Sequence, residues 1–228
     1  MQASMLLKKK ASAYVPAQPP FAGYNYDQNV STGTVAVTAT KSASQLVTPP
    51  QSVTGYSKVL NGKDTNMFAD GKAHGVTDFT FSLRLMLGGG TSGYVILAQF
   101  PGSAQGTQLR IGDNGFGNRL QPCLNPNTIG TCWDDAFTRD DVASGWHLYT
   151  WQRRSNTVTF YVNGVQRNLA NGTGTTYGYS SYTDASDLTG LTGMYIDPTA
   201  VTCYVAEWAL WNTALYTGSF TPPTGYLV

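Results

Sequence analysis

Along most of the chain apolar and polar residues alternate, the period that sets every second side chain on one face of a β-strand. TGTVAVTAT (32–40) alternates cleanly, and DFTFSLRLML (78–87) puts Phe79, Phe81, Leu83, Leu85 and Leu87 on one side. GYVILAQF (93–100) is apolar on both faces. HLYTWQRR (147–154) and TVTFYVNG (157–164) are alternating runs separated by Ser-Asn, which predicts a hairpin, and the Asn-Gly step of VNGVQ predicts a second tight turn. On the first strand Trp146, Leu148 and Thr150 share one side, while His147, Tyr149 and Trp151 share the other. On the second, Val158, Phe160 and Val162 oppose Thr157, Thr159 and Tyr161.

Helical periodicity is scarce. Only residues 2–13 and 206–217 escape interruption by Gly, Pro or β-branched residues. In the closing segment Trp208 and Leu210 share a face if it is a strand, and Trp208 and Trp211 share one if it is a helix. The expected packing residues are Phe79, Phe81, Leu83, Trp146, Val158, Phe160, Val162, Trp208 and Trp211. Residues 112–144 show little period and read as loop.

Residues 1–22 differ from the body at 23–228. A short apolar and basic stretch, Met5, Leu6, Leu7, Lys8, Lys9 and Lys10, leads to Tyr14 and to YVPAQPPFAG, whose prolines favour extended backbone. This reads as an N-terminal arm, docked either on another chain or on its own domain.

At 228 residues with 41% hydrophobic and 12% charged residues, the chain has enough apolar surface for one large all-β domain. The net charge is +1, and setting aside Lys8, Lys9 and Lys10 leaves the body at −2, with no broad basic surface for nucleic acid. No run has signal-peptide or membrane-spanning character, so a soluble protein made in a cytoplasm is expected. Cys123 and Cys132 could close a short bridge, which a reducing compartment would keep open. No cysteine has a histidine at zinc spacing, GDNG and TDASD lack the oxygen-rich spacing of a calcium loop, and no cofactor is expected.

The Phe-rich DFTFSLRLML, Trp146-His147 followed by TVTFYVNGV, and VAEWALWNTAL resemble, in that order, strands of the laminin-G-like and concanavalin-A-like lectin/glucanase sandwiches. The ending YTGSFTPPTG is similar to tails of such domains in bacteriophage virion proteins. The resemblance spans roughly residues 55–225 and implies an all-β, two-sheet antiparallel jelly-roll sandwich; the alternation agrees as far as a second sheet, since the strands' apolar faces need a partner.

Hydrolases of this class use paired carboxylates. Here Glu207 is the single glutamate, and the alternating acidic strand of the glucanases is absent. Asp134 with Asp135, and Asp140 with Asp141, are adjacent loop residues and read as solvated turns. His147 has no nucleophile motif beside it and is expected to pack or hydrogen-bond; His74 reads as a turn residue. A non-enzyme is therefore expected.

Two roles remain. One is a bacteriophage virion structural protein, a capsid decoration or cement protein that attaches to the major capsid protein through Met5–Lys10 and Tyr14 and works as a homo-oligomer, with a trimer expected. The other is a carbohydrate-binding module of a phage tail or fibre, in which Tyr177, Tyr179, Tyr182, Asp184 and Asp187 of NGTGTTYGYSSYTDASD form a glycan or interface loop.

Overall fold

The computed structural model describes Ser12–Ala13 and residues 19–90, 95–99, 108–111, 120–121, 133–134, 145–170, 181–183, 188–197 and 201–227. Among these residues the strands form a ten-stranded sheet, a six-stranded sheet and two short two-stranded pairings. The only helical element described is the 3-10 turn Ala43–Gln45. The expected all-β, two-sheet sandwich is what the chain adopts.

The large sheet is centred on Phe79–Gly90, which pairs antiparallel with His147–Arg154 on one side and Val201–Trp211 on the other. Beyond His147–Arg154 lie Thr157–Val162 and Val165–Gln166, and beyond Val201–Trp211 lie Ala22–Asn25 and Val30–Thr32. The small sheet runs Leu120–Gln121, Gln108–Ile111, Val95–Gln99, Gly193–Ile196, Asp64–Phe68, Val37–Ala39.

Turn chemistry fixes the predicted hairpin. Ser155 and Asn156 both have positive φ, as do Asn163 and Gly164, the backbone of type I′ turns whose twist matches that of the flanking strands. At Gly164 glycine is required twice over: φ is +75° and a Cβ would collide with the Phe220 carbonyl.

Between the sheets, Phe79, Phe81, Leu83 and Leu85 meet Tyr149, Trp151, Val158, Phe160, Val162 and Trp208 from the large sheet, and Phe68, Met194 and Ile196 from the small one. Trp151 and Phe160 approach to 4.8 Å between ring centroids. Each such side chain stabilises the fold by roughly 1.5–3 kcal/mol through burial. The side chain of Leu87 lies outside the described residues.

The outer face of the large sheet is also covered. After Trp211 the chain turns back across it as a strap, residues 212–227, burying Leu148, Tyr161, Ala209 and Trp211 against Tyr216, Phe220 and Leu227. Tyr216 and Phe220 stack 3.7 Å apart, and both meet Tyr161 edge-on.

One open alternative closes and one expectation changes. The closing segment resolves as strand, so Trp208 and Leu210 face the main core while Trp211 is buried on the opposite face, under the strap. Trp146 is only partly buried: it packs on the satellite cluster of Tyr56, Val59 and Ala206 and donates Nε1–H to Gln51 O at 2.9 Å. The main core takes Tyr149 and Trp151 from that strand instead, because the strand is covered on both sides and apolar residues on either face were available to fill it.

Candidate functional site

The two outer faces differ in what they leave reachable. Under the strap, Arg84 and Glu207 form a buried pair, Nε to Oε1 3.6 Å. A β-bulge at Ala206 puts both Ala206 and Glu207 on the outer side, so Glu207 lies opposite Arg84 rather than in the main core. Glu207 Oε1 accepts the Leu227 N–H at 2.7 Å and the Tyr56 hydroxyl. Arg84 Nη2 donates to the carbonyls of Pro223 and Gly225 at 3.0 and 3.1 Å. Burial pushes the Glu207 carboxyl up to about 8 and the Arg84 guanidinium down to about 10. Only 1% of Glu207 is exposed, so the single glutamate of the chain reaches no substrate.

Further bonds tie the strap down. Gln152 donates Nε2–H to Tyr216 O and accepts the Tyr216 N–H, both at 2.6 Å. Thr80 Oγ1 donates to Thr213 O at 2.9 Å and accepts from Leu215 N at 3.0 Å. Phe220 N–H reaches Gly164 O at 2.8 Å, and the Tyr226 hydroxyl donates to Asp27 at 2.6 Å. This face is closed.

Among the described residues none covers Asp64–Phe68 and Gly193–Ile196 of the small sheet in this way. Here burial alternates, so Thr65 and Tyr195, paired across the two strands, both point outward and are half-buried. With Thr40, Lys63, Asp64, Ile196 and Asp197 they line an open cleft of about 180 Å³. Lys63 Nζ meets Asp197 Oδ1 at 2.5 Å at the rim. Asp64 anchors the floor: Oδ1 accepts the N–H groups of Thr40 and Lys41, each at 2.9 Å, and Oδ2 accepts the Tyr26 hydroxyl at 2.9 Å. Burial, and then the adjacent Asp64 carboxylate, push the Tyr26 phenol well above its ordinary range, so it remains a donor. An aromatic side chain beside hydroxyls, an ammonium and carboxylates gives an amphipathic surface that apolar faces and hydroxyl groups can both use.

The residues expected from sequence are differently placed. Met5, Leu6, Leu7, Lys8, Lys9, Lys10 and Tyr14 lie outside the described residues. Within the arm, Ser12–Ala13 pairs in parallel with Phe220–Thr221 of the strap. Tyr177, Tyr179, Asp184 and Asp187 also lie outside the described residues, as do Cys123 and Cys132. Tyr182 is in a strand that pairs with Thr157–Val158, its side chain undescribed. Cys203 is a buried free thiol that burial pushes up, a packing residue. His147 Nδ1 is 3.0 Å from Asn163 Nδ2, the hydrogen-bonding role expected of it. His74 pairs with Asp70 at 2.8 Å and sets its ring edge-on to Phe21 and Phe68.

Sequence reasoning missed the cleft. The one available signal was VLNGKDTNMF, where an Asn-Gly turn leads into a strand alternating Asp64, Asn66 and Phe68 inward with Thr65 and Met67 outward. Among the described residues no group of metal-ligating side chains gathers, and no helix is long and apolar enough to cross a membrane.

No family model matches the chain, and no curated protein matches it in sequence. Its fold is shared with solved structures at low identity. The binding domain of botulinum neurotoxin serotype D superposes with a TM-score of 0.56 at 8% identity, over 86% of this chain and 48% of that one. Domain 4 of AbnA, an extracellular arabinanase from Geobacillus stearothermophilus, in complex with arabinotriose, gives 0.53 at 17%, over 86% of this chain and 94% of that one. Trypanosoma rangeli sialidase in complex with 2,3-difluorosialic acid gives 0.52 at 12%, over 91% and 34%. The chain thus spans about half of the toxin domain and about a third of the sialidase.

Proposed function

We propose that the chain is a non-enzymatic, lectin-like module that binds saccharide through the outer face of its small sheet, and that it serves host-surface attachment on a bacteriophage tail or fibre. The observation that carries this reading is the cleft in which Tyr195 and Thr65 stand beside Lys63, Asp64 and Asp197 on a face the strap leaves open. The similarity in fold to a domain solved with arabinotriose supports it. At about 180 Å³ the cleft is smaller than a drug-sized pocket of roughly 300–1,000 Å³, which suits a single ring held weakly and strengthened by repetition on a particle.

Among the described residues, the carboxylates argue for binding rather than turnover. Glu207 is sealed under the strap, both oxygens of Asp64 are engaged by the fold, and Asp197 is paired with Lys63. A glycosidase needs one carboxyl free to give a proton and another to attack or activate water. The test is a glycan array with wild type and Tyr195→Ala at matched folding. Binding to at least one glycan that disappears in the variant is the expected result; an array blank at millimolar-equivalent density, or binding indifferent to Tyr195, would reject the reading.

A second reading, a head decoration or cement protein, is favoured by one observation: the strap offers Phe220–Thr221 as an edge on which Ser12–Ala13 pairs, so the first and last segments meet on one face. On this reading the arm preceding Ser12 reaches the major capsid protein and the sandwich assembles as a trimer. Removing residues 2–11 and measuring attachment to undecorated particles tests it, with loss of attachment by an intact fold expected.

A further inference from the structure

Resting on the saccharide-binding reading above, we infer that the cleft beside Tyr195 selects neutral sugars and turns away carboxylated ones. Among the described residues its lining carries one ammonium, Lys63, against two carboxylates, Asp64 and Asp197, so a carboxylated ligand meets a net negative lining there. The ammonium is already committed to Asp197 at 2.5 Å. To serve a ligand carboxylate, Lys63 would have to give up its 2.5 Å pair with Asp197 and bring a second carboxylate beside it.

The lysine that follows Thr40 does not help. Lys41 turns its Nζ to the Tyr24 hydroxyl at 2.7 Å and lies over the Tyr24 ring at 4.2 Å, while its backbone N–H binds Asp64. Among the described residues no guanidinium lines the cleft, and a planar carboxylate is held best by the paired N–H groups of arginine. Neutral sugars meet the opposite situation. Their hydroxyls can donate to Asp197 and exchange hydrogen bonds with Thr40 and Thr65, and a ring's C–H face can rest on Tyr195.

The experiment is an amide-resolved NMR titration of the full chain at physiological salt. Neutral trisaccharides, arabinotriose among them, are compared with sialic acid and a galacturonate trimer. Neutral probes are expected to shift the amides of Lys63–Thr65 and Tyr195–Asp197, with the acidic probes at least about tenfold weaker. Asp197→Asn, which removes one carboxylate and releases Lys63, should narrow that gap several-fold, chiefly by strengthening the acidic probes. Thr65→Trp, which plugs the cleft from its outward side, should abolish the shifts, and a matched melting curve confirms that folding is intact. Acidic probes binding as tightly as neutral ones in wild type, or a gap that Asp197→Asn leaves unmoved, would overturn the charge selection while the saccharide reading stands. Absence of cleft shifts with every probe would instead remove the saccharide reading itself, and this inference with it.

Discussion

The two outer faces of the sandwich are built from the same kind of strand and end in opposite states. On the large sheet, HLYTWQRR is buried at six successive positions, Leu148 to Arg153, because the core lies on one side and the strap on the other. On the small sheet, Asp64–Phe68 alternates buried and half-buried, the signature of a face left to solvent. Polar groups follow suit. Those of the covered face are spent on the strap backbone, as Gln152, Thr80 and Arg84 are; on the open face Lys63 and Asp197 meet each other at the rim, within reach of solvent. Coverage, more than composition, separates structural chemistry from reachable chemistry here.

The largest expected effect cuts into the covered face. Trp211→Ala should cost about 3–5 kcal/mol in urea unfolding, since it empties a site closed by Leu148, Tyr161 and the strap. A loss under about 1 kcal/mol would mean that the strap does not cover this face in solution.

Next is the pH dependence set by Glu207. Burial raises its folded carboxyl to about 8, above the ordinary value of 4.5, so the native state holds this proton more tightly than the unfolded chain does. The associated stability is fully present below the ordinary value and is lost as pH rises through about 8. Between pH 5 and pH 8 the unfolding free energy should fall by about 2–4 kcal/mol, and Glu207→Gln should flatten that fall. A wild-type profile already flat across this range would show that Arg84, at 3.6 Å, holds the carboxylate ionised despite its burial.

This contrast also explains how far the sequence could be read. The hairpin was legible because its information is local: Asn163–Gly164 and Ser155–Asn156 set the turns, and period-two apolar runs set the strands. The inward set Phe79, Phe81, Leu83, Val158, Phe160 and Val162 followed directly. Trp146 was misplaced because alternation carries no sign when both faces are apolar, and only the strap, far along the chain, makes both faces interior. The cleft was illegible for a related reason. Thr65 and Tyr195 become neighbours through strand register between segments distant in sequence, and no local pattern encodes that pairing.

A smaller effect probes the strap's fastening. Replacing Gln152 with Met keeps the volume but removes the bonds to the Tyr216 N–H and C=O. Leaving these buried backbone groups short of partners should cost about 2 kcal/mol and speed hydrogen exchange at the Tyr216 amide more than at Phe160. Equal acceleration at both would indicate that strap and sheet open as one unit, so that the covered face is core rather than an added layer.

The smallest effect belongs to the open face, where ligand binding and folding should come apart. Lys63 and Asp197 have side chains 58% and 37% exposed, so their 2.5 Å pair is screened by water. Pairs of this kind contribute about 0–1 kcal/mol. Lys63→Ala should therefore leave the unfolding midpoint nearly unchanged, within about 0.5 kcal/mol, and Tyr195→Ala should cost under about 1 kcal/mol because its side chain covers little of the core. A loss approaching that of Trp211→Ala for either variant would make the cleft part of the folding machinery and remove the distinction between the faces. Stability held constant while saccharide binding changes would mark this rim as surface the fold does not need.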